Sequence, residues 1–249
     1  MADALVKLMG WPATILHGDP AVFDRWRWLK QHLRGGPLRT LDAGCGSGAY
    51  TLYAAKRGND ALGLSWDDAQ NEKARRRAAL LGLRNAAFRP VDLRELDRHA
   101  RSLGTFDQII CFETIEHIRD DAKLVRDLAA LLEPGGRLLL TTPYKHYHPL
   151  LGDEVSDVED GRHVRWGYTH DEMRDLFRAA GLEVVVADYV SGYVTQKLMN
   201  FERRVTRAIG RAGWAATFPL RPLAIFDAPL TRALRYPHLS IAVVGVKRG

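Results

Sequence analysis

Only two cysteines, Cys45 and Cys111, occur in 249 residues. Two thiols make no disulfide framework, and they read as small buried residues in a reducing cytosol. Long apolar runs are missing as well: no stretch reaches the roughly 20 residues that a membrane span needs. The first ten residues carry Asp3 and no extended apolar stretch, so they do not read as a secretion signal. The expectation is a cytoplasmic protein, attached at most to a membrane surface. Internal repeats and low-complexity tracts are absent. So is a chain-wide basic coat, because the formal charge of +6 is local. Residues 191–238 hold Lys197, Arg203, Arg204, Arg207, Arg211, Arg221, Arg232 and Arg235 against Glu202 and Asp227, and the rest of the chain is neutral. That distribution excludes a general nucleic-acid coat: no DNA partner is expected, and no basic groove favours RNA.

What is present is ordinary globular composition, 46% hydrophobic and 27% charged, in a repeating pattern of short apolar runs and Ala-, Arg- and Leu-rich segments. Strands are expected at Leu38–Ala43, Asp60–Leu64, Ala86–Arg89, Phe106–Phe112, Arg137–Thr142, Leu182–Tyr189 and Leu239–Val246. Helices are expected at Ala49–Lys56, at Asp67–Leu81 behind an Asp67 cap, and at Asp120–Leu132 with Pro134-Gly135-Gly136 as its stop. A further helix, Thr169–Ala180, opens with a Thr169/Glu172 capping box. This alternation predicts an α/β fold with a doubly wound, mostly parallel sheet of seven strands, whose ligands bind beyond the carboxyl ends of the strands. The expected division is an N-terminal cap (1–37), a core (38–190 plus 239–249) and a helical insertion (191–238) before the last strand.

The strongest local signal is Leu41-Asp42-Ala43-Gly44-Cys45-Gly46-Ser47-Gly48, at the end of the first strand. Glycines there let a ligand approach the backbone, and the helix that follows presents free N–H groups to an anion. Gly44-x-Gly46-x-x-Ala49 also fits the loose dinucleotide pattern. Asp42 argues against a pyrophosphate, which it would repel, and for a ligand with a positive ammonium group.

This segment resembles the first motif of the class I S-adenosylmethionine (SAM)-dependent methyltransferases, Rossmann-like enzymes, and the similarity runs from about residue 38 to 189 with residues 239–246 as the closing strand. The resemblance implies SAM as cofactor. Asp42, Gly44, Cys45, Gly46 and Gly48 would cradle its methionine part. Ser65 and Trp66 would meet the ribose, with Ser65 standing where the family usually has an acid and Asp67 as a substitute or simply a cap. Asp92 and Leu93 would clamp the adenine, and Cys111 and Phe112 would wall the adenosine.

The reacting end is expected after the fourth and fifth strands. Glu113-Thr114-Ile115-Glu116-His117 resembles an acid-acid-His run found in ubiquinone-biosynthesis O-methyltransferases and in small-RNA 3′-end 2′-O-methyltransferases. With His163, the residues Glu113, Glu116 and His117 offer two carboxylates and two imidazoles to a divalent metal ion. Three readings stay open: a metal site, a metal-free site with His117 as general base and Glu116 and His163 beside it, and a structural cluster. His146 and His148 read as loop residues, and Tyr144 and Tyr147 as walls of an acceptor pocket. His17 belongs either to a lid facing the acceptor or to plain N-terminal packing. The basic insertion reads as a lid with dimer contacts or as an amphipathic face touching anionic lipid. The functional expectation is O-methylation of a small-molecule or lipid-linked hydroxyl, on a sugar, a phenolic metabolite or a lipid precursor. The alternatives are an NAD-dependent oxidoreductase and a non-catalytic module using the same fold.

Overall fold

Three short helices open the chain: α1 (Ala2–Met9), α2 (Pro12–Leu16) and α3 (Pro20–His32). The alternation then runs β1 (Arg39–Ala43), α4 (Ala49–Lys56), β2 (Asp60–Ser65), α5 (Asp68–Leu80), β3 (Ala86–Pro90), α6 (Leu96–Leu103), β4 (Phe106–Phe112), α7 (Asp121–Ala130), β5 (Leu132–Pro143), α8 (His170–Ala179) and β6 (Leu182–Val190). Helices α9 (Tyr193–Ile209), α10 (Ala212–Thr217) and α11 (Asp227–Leu234) follow, with a 3-10 segment at Phe218–Phe226, and β7 (Ser240–Lys247) closes the chain. This computed structural model describes residues 2–16, 19–210 and 212–249. His17 lies outside the described residues.

The strands form one sheet of order β3-β2-β1-β4-β5-β7-β6. All neighbouring pairs are parallel except those of β7, which runs antiparallel to both β5 and β6. The central strands are covered on both faces: Ile109, Ile110, Leu138–Leu140 and Ile241–Val244 have no exposure. Continuous apolar runs rather than alternating ones follow from that double burial. Both cysteines are free and buried, Cys111 in β4 and Cys45 in the turn after β1.

Helix caps place the loops that matter below. Asp67 accepts from the Ala69 and Gln70 amides at the start of α5, and Thr169 and Glu172 form the reciprocal capping box of α8. One expectation is corrected. Pro134-Gly135-Gly136 does not stop a helix; α7 ends at Ala130 and β5 already begins at Leu132. Leu132 pairs with Phe106 and Arg137 with Gln108, so the Pro-Gly-Gly is surplus length bulged out of β5.

The N-terminal helices and the 191–238 segment pack on each other as well as on the sheet. Trp11 Nε1 donates to the Ala49 carbonyl and Trp28 Nε1 to Asp188. Buried Asp24 of α3 accepts from Ser191 and Thr195 at 3.0 and 2.7 Å. At the start of α9, the Gly192 and Thr195 amides donate to Asp227, which replaces a cap from the helix's own sequence.

Candidate functional site

β1 has β2 on one side and β4 on the other. The connections leaving β1 and β4 therefore diverge, and a crevice opens at the carboxyl ends of the strands. A cavity of about 470 Å³ lies there, lined from Gly44 and Gly46 through Ser65–Asp67 and Asp92–Arg94 to Glu113, Thr114 and His117.

The three glycines of the turn do different work. All have positive φ: +86° at Gly44, +48° at Gly46 and +80° at Gly48. A Cβ on Gly44 would lie 2.3 Å from Thr114 Oγ1, and one on Gly48 would lie 2.8 Å from both Ala74 and Phe88. At Gly46 a Cβ would meet nothing within 4 Å. Gly44 and Gly48 thus allow close packing of the protein on itself, while Gly46 leaves open space toward the cleft for a ligand. The turn is braced from behind. The Gly44 and Cys45 amides both donate to the Leu64 carbonyl, and buried Arg77 of α5 donates to the Ser47 carbonyl and hydroxyl.

Asp42 is part of that bracing. It is buried behind the turn, outside the cleft wall, and accepts from Thr51 Oγ1 at 2.6 Å. Burial pushes its carboxyl up to about 6, against the pull of the Thr51 bonds. The direct greeting of a ligand ammonium expected from the sequence is not the geometry found. Asp42 shapes the turn, and Glu113 is the acid that reaches the cleft nearby.

On the β2 and β3 side, Ser65 lines the cleft and its hydroxyl accepts from the Asp67 amide. Trp66 lines it too, 71% exposed. Asp92 is engaged by Arg94, whose guanidinium contacts both carboxylate oxygens; those bonds hold the Asp92 carboxyl below its usual range. Arg94 also reaches Glu159 at 3.5 Å, and Glu159 accepts from the Arg119 amide at 2.5 Å. Through these contacts the 159–161 loop, which the sequence did not single out, becomes a wall of the cleft. Gln70 and Arg94 are further wall residues missed from sequence; Gln70, one turn into the helix capped by Asp67, was within reach of that reading.

Cys111 and Phe112 require correction. Neither lines the cleft. Cys111 is fully buried in the sheet core, and Phe112 packs on Tyr50 and Trp28 with ring centroids 5.0 and 5.9 Å apart. Both belong to a strand covered on two faces, so the wall begins only at Glu113. Cys45 and Gly48 likewise sit behind the turn rather than on the cleft surface.

Past β4 the backbone is unusual. Glu113 has φ +46°, the left-handed region that a non-glycine residue seldom occupies. Its side chain is ion-paired at 2.9 Å with Arg25 of α3, itself almost fully buried. Burial opposes the Arg25 charge, and Glu113 together with Asp19, Tyr50 and Glu116 more than restores it. Glu116 follows in a 3-10 turn (Ile115–His117), wholly buried. One of its oxygens accepts from Thr142 at 3.2 Å; the other, Oε1, has no partner. Burial first, and Glu113 second, raise its pKa well above the usual carboxylate value. His117 Nε2 lies 3.9 Å from Glu116 Oε1, and its buried Nδ1 is unpartnered. The His163 ring stands edge-on to it, centroids 4.8 Å apart. Burial, then the neighbouring His117, push His163 down to about 4, which leaves it neutral at pH 7.

Glu116, His117 and His163 bring one ligand atom each to within 4.8 Å of one another. Glu113 is not in that group, contrary to the four-donor set expected from sequence, because its carboxylate is turned to Arg25. His146 and His148 are also outside it: His146 packs on Tyr144 and His148 on Tyr236.

Comparison with known proteins gives concordant results. A family model described as a methyltransferase domain matches residues 22–187. The chain is 30% identical over 168 residues to the ubiquinone biosynthesis O-methyltransferase of Acinetobacter baylyi, spanning 64% of this chain and 70% of that protein. Among solved structures it resembles an S-adenosylmethionine-dependent methyltransferase from Mesorhizobium loti at a TM-score of 0.59 and 17% identity, covering 93% of this chain and 100% of that one. It also resembles the magnesium protoporphyrin IX methyltransferase of Synechocystis PCC 6803 with bound SAM, at a TM-score of 0.54 and 16% identity, covering 89% and 75%.

Proposed function

This chain belongs to the class I SAM-dependent methyltransferase family, and from that premise we propose that it methylates a hydroxyl oxygen of a small acceptor, with His117 as general base. Family membership makes SAM the cofactor and displaces the nicotinamide-dehydrogenase reading. The residues fit SAM: a turn whose middle glycine leaves ligand space, an acid and a threonine at one end of the cleft, and Trp66, Asp92 and Leu93 at the other. Bound SAM supplies a methyl group on a cationic sulfur, which takes up the bonding electron pair as the methyl leaves.

The chain's own task is to align the acceptor and remove its proton. One observation carries the choice of base: among the described residues, His117 is the only imidazole lining the cleft. With Nδ1 buried, it takes the hydroxyl proton at Nε2 as the oxygen attacks the methyl carbon. Glu116 Oε1, 3.9 Å from that nitrogen, faces the imidazolium that forms. Glu113 and Thr114 hold the methionine end of the cofactor, while Asp42 and Arg77 act on the turn from behind as positioning residues.

O-methylation finds support in the relatives named for that reaction. The test is methyl transfer to a panel of phenols, catechols and sugars. His117→Ala should lower kcat by about 10²–10⁴-fold with SAM affinity unchanged. Unaltered turnover in that variant would remove His117 as base.

The convergence of Glu116, His117 and His163 supports a second reading, in which a divalent cation holds the acceptor oxygen and lowers its pKa. The neutral state of His163 suits a ligand, and the unpartnered Glu116 oxygen would gain one. Loss of turnover in EDTA, restored by Mg²⁺, Mn²⁺ or Zn²⁺, would select this reading. Turnover indifferent to both leaves the metal-free base.

A further inference from the structure

The insertion ends in an apolar surface that none of the described residues covers. The 3-10 segment Phe218–Phe226 has no buried residue, although its sequence is FPLRPLAIF. Ile225 is 70% exposed and Phe226 53%. Leu223 before them and Leu230 and Leu234 on α11 are exposed as well. Large apolar side chains clustered in this way within one segment mark an interaction face rather than scattered surface residues.

The charges around them state what the face fits. Arg204, Arg207, Arg232 and Arg235 are exposed, and among the described residues none is ion-paired. The segment's two acids are committed elsewhere: Asp227 to the amides of Gly192 and Thr195, Glu202 to Arg221 and Thr217. The outer surface is thus apolar and cationic together. A second copy docking on the same face would bring two cationic patches together, since a two-fold interface uses the same surface on both subunits. An anionic bilayer complements both properties at once, with the apolar side chains entering the headgroup boundary and the arginines meeting lipid phosphates.

We infer that residues 218–235, with the outer face of α9, dock this protein peripherally on anionic membranes. No helix among the described residues is long and apolar enough to cross a membrane, so the contact is one of surface binding. This inference is independent of the acceptor and of the base.

The test is co-sedimentation of the full chain with vesicles of phosphatidylcholine alone and with phosphatidylglycerol added. Binding should require the anionic lipid and weaken with salt. Ile225→Asp with Phe226→Asp, and separately Arg232→Glu with Arg235→Glu, should each lower partitioning by roughly tenfold or more. Both should leave the melting temperature and SAM affinity unchanged, because the altered side chains are exposed and distant in sequence from the cleft. Equal binding to both vesicle types, or none to either, overturns the inference. So does a monomer–dimer equilibrium in sedimentation that Ile225→Asp abolishes, which would assign the face to a second copy.

Discussion

The glycine turn after β1 and the acid–imidazole run after β4 line the same cleft, yet one is shaped by atoms left out and the other by ionisable groups kept from water. At the turn, Gly44 and Gly48 press against Thr114, Ala74 and Phe88, and Gly46 alone faces open space. After β4, Glu116 is wholly buried with its pKa raised, and Glu113 is ion-paired with Arg25. A steric contact is insensitive to pH and fails when a methyl group is added. An electrostatic site tolerates small changes of shape and fails when a partner is removed.

The largest effects should come from breaking the steric side. Gly44→Val adds bulk 2.3 Å from Thr114 at φ +86°. It should destabilise the fold by about 3 kcal/mol or more and abolish measurable SAM binding. Gly46→Ala offers the contrast. Its positive φ costs about 1 kcal/mol, but its Cβ meets no protein atom, so melting should shift by only a few degrees. SAM affinity should nevertheless fall about tenfold or more, because the methyl occupies ligand space. Calorimetric titration and thermal melts of the two variants separate packing from binding. A Gly46→Ala protein that binds SAM as wild type does would place the cofactor elsewhere.

Next in size is the electrostatic side. Arg25→Met leaves Glu113 facing a site built for a cation. Breaking a fully buried pair costs about 3–5 kcal/mol. With Glu113 18% exposed, about 2–3 kcal/mol is expected in urea unfolding. Adding Glu113→Gln should recover most of the loss, since the remaining amide carries no charge. A double variant as unstable as Arg25→Met would show that Arg25 acts through packing instead.

The contrast also explains what could be read from sequence. Glycines that make room are visible as letters, and capping patterns are local, so the turn, the Asp67 cap and the Thr169/Glu172 box were all legible. The strand alternation predicted a sheet because its periodicity needs no tertiary knowledge. Orientation was less accessible. Asp42 is next to the turn in sequence, but its side chain goes back to Thr51; Cys111 and Phe112 end a strand, but that strand is covered on both faces. Arg25 gave no signal, because its meaning depends on a carboxylate 88 positions away that only the fold brings to it. The Glu113 expectation failed for the same reason: a donor set can be counted from sequence, whereas the competing ion pair cannot.

The smallest effect is a pH dependence in which His163 and Asp42 pull oppositely. His163 is held at about 4 in the fold, against 6.5 for an unperturbed imidazole, by burial and then by His117. Between those values the unfolded chain binds more protons, so this contribution is complete above pH 6.5 and is lost as pH falls toward 4. Asp42, raised from 3.8 to about 6 by burial, has the reverse sign: the folded chain binds the extra proton, and its contribution is lost as pH rises through that window. Glu116 shifts in the same sense as Asp42. With two raised carboxyls against one depressed imidazole, wild-type stability should decline modestly as pH rises from 4 to 6 in chelator-treated protein. His163→Gln should tilt the curve toward greater stability in acid, and Asp42→Asn should tilt it the other way, each by on the order of 1 kcal/mol across the window. Urea midpoints at half-unit pH steps would read both tilts. Parallel curves for the two variants would mean that the cluster after β4 and the brace behind the turn do not differ in the way their burial requires.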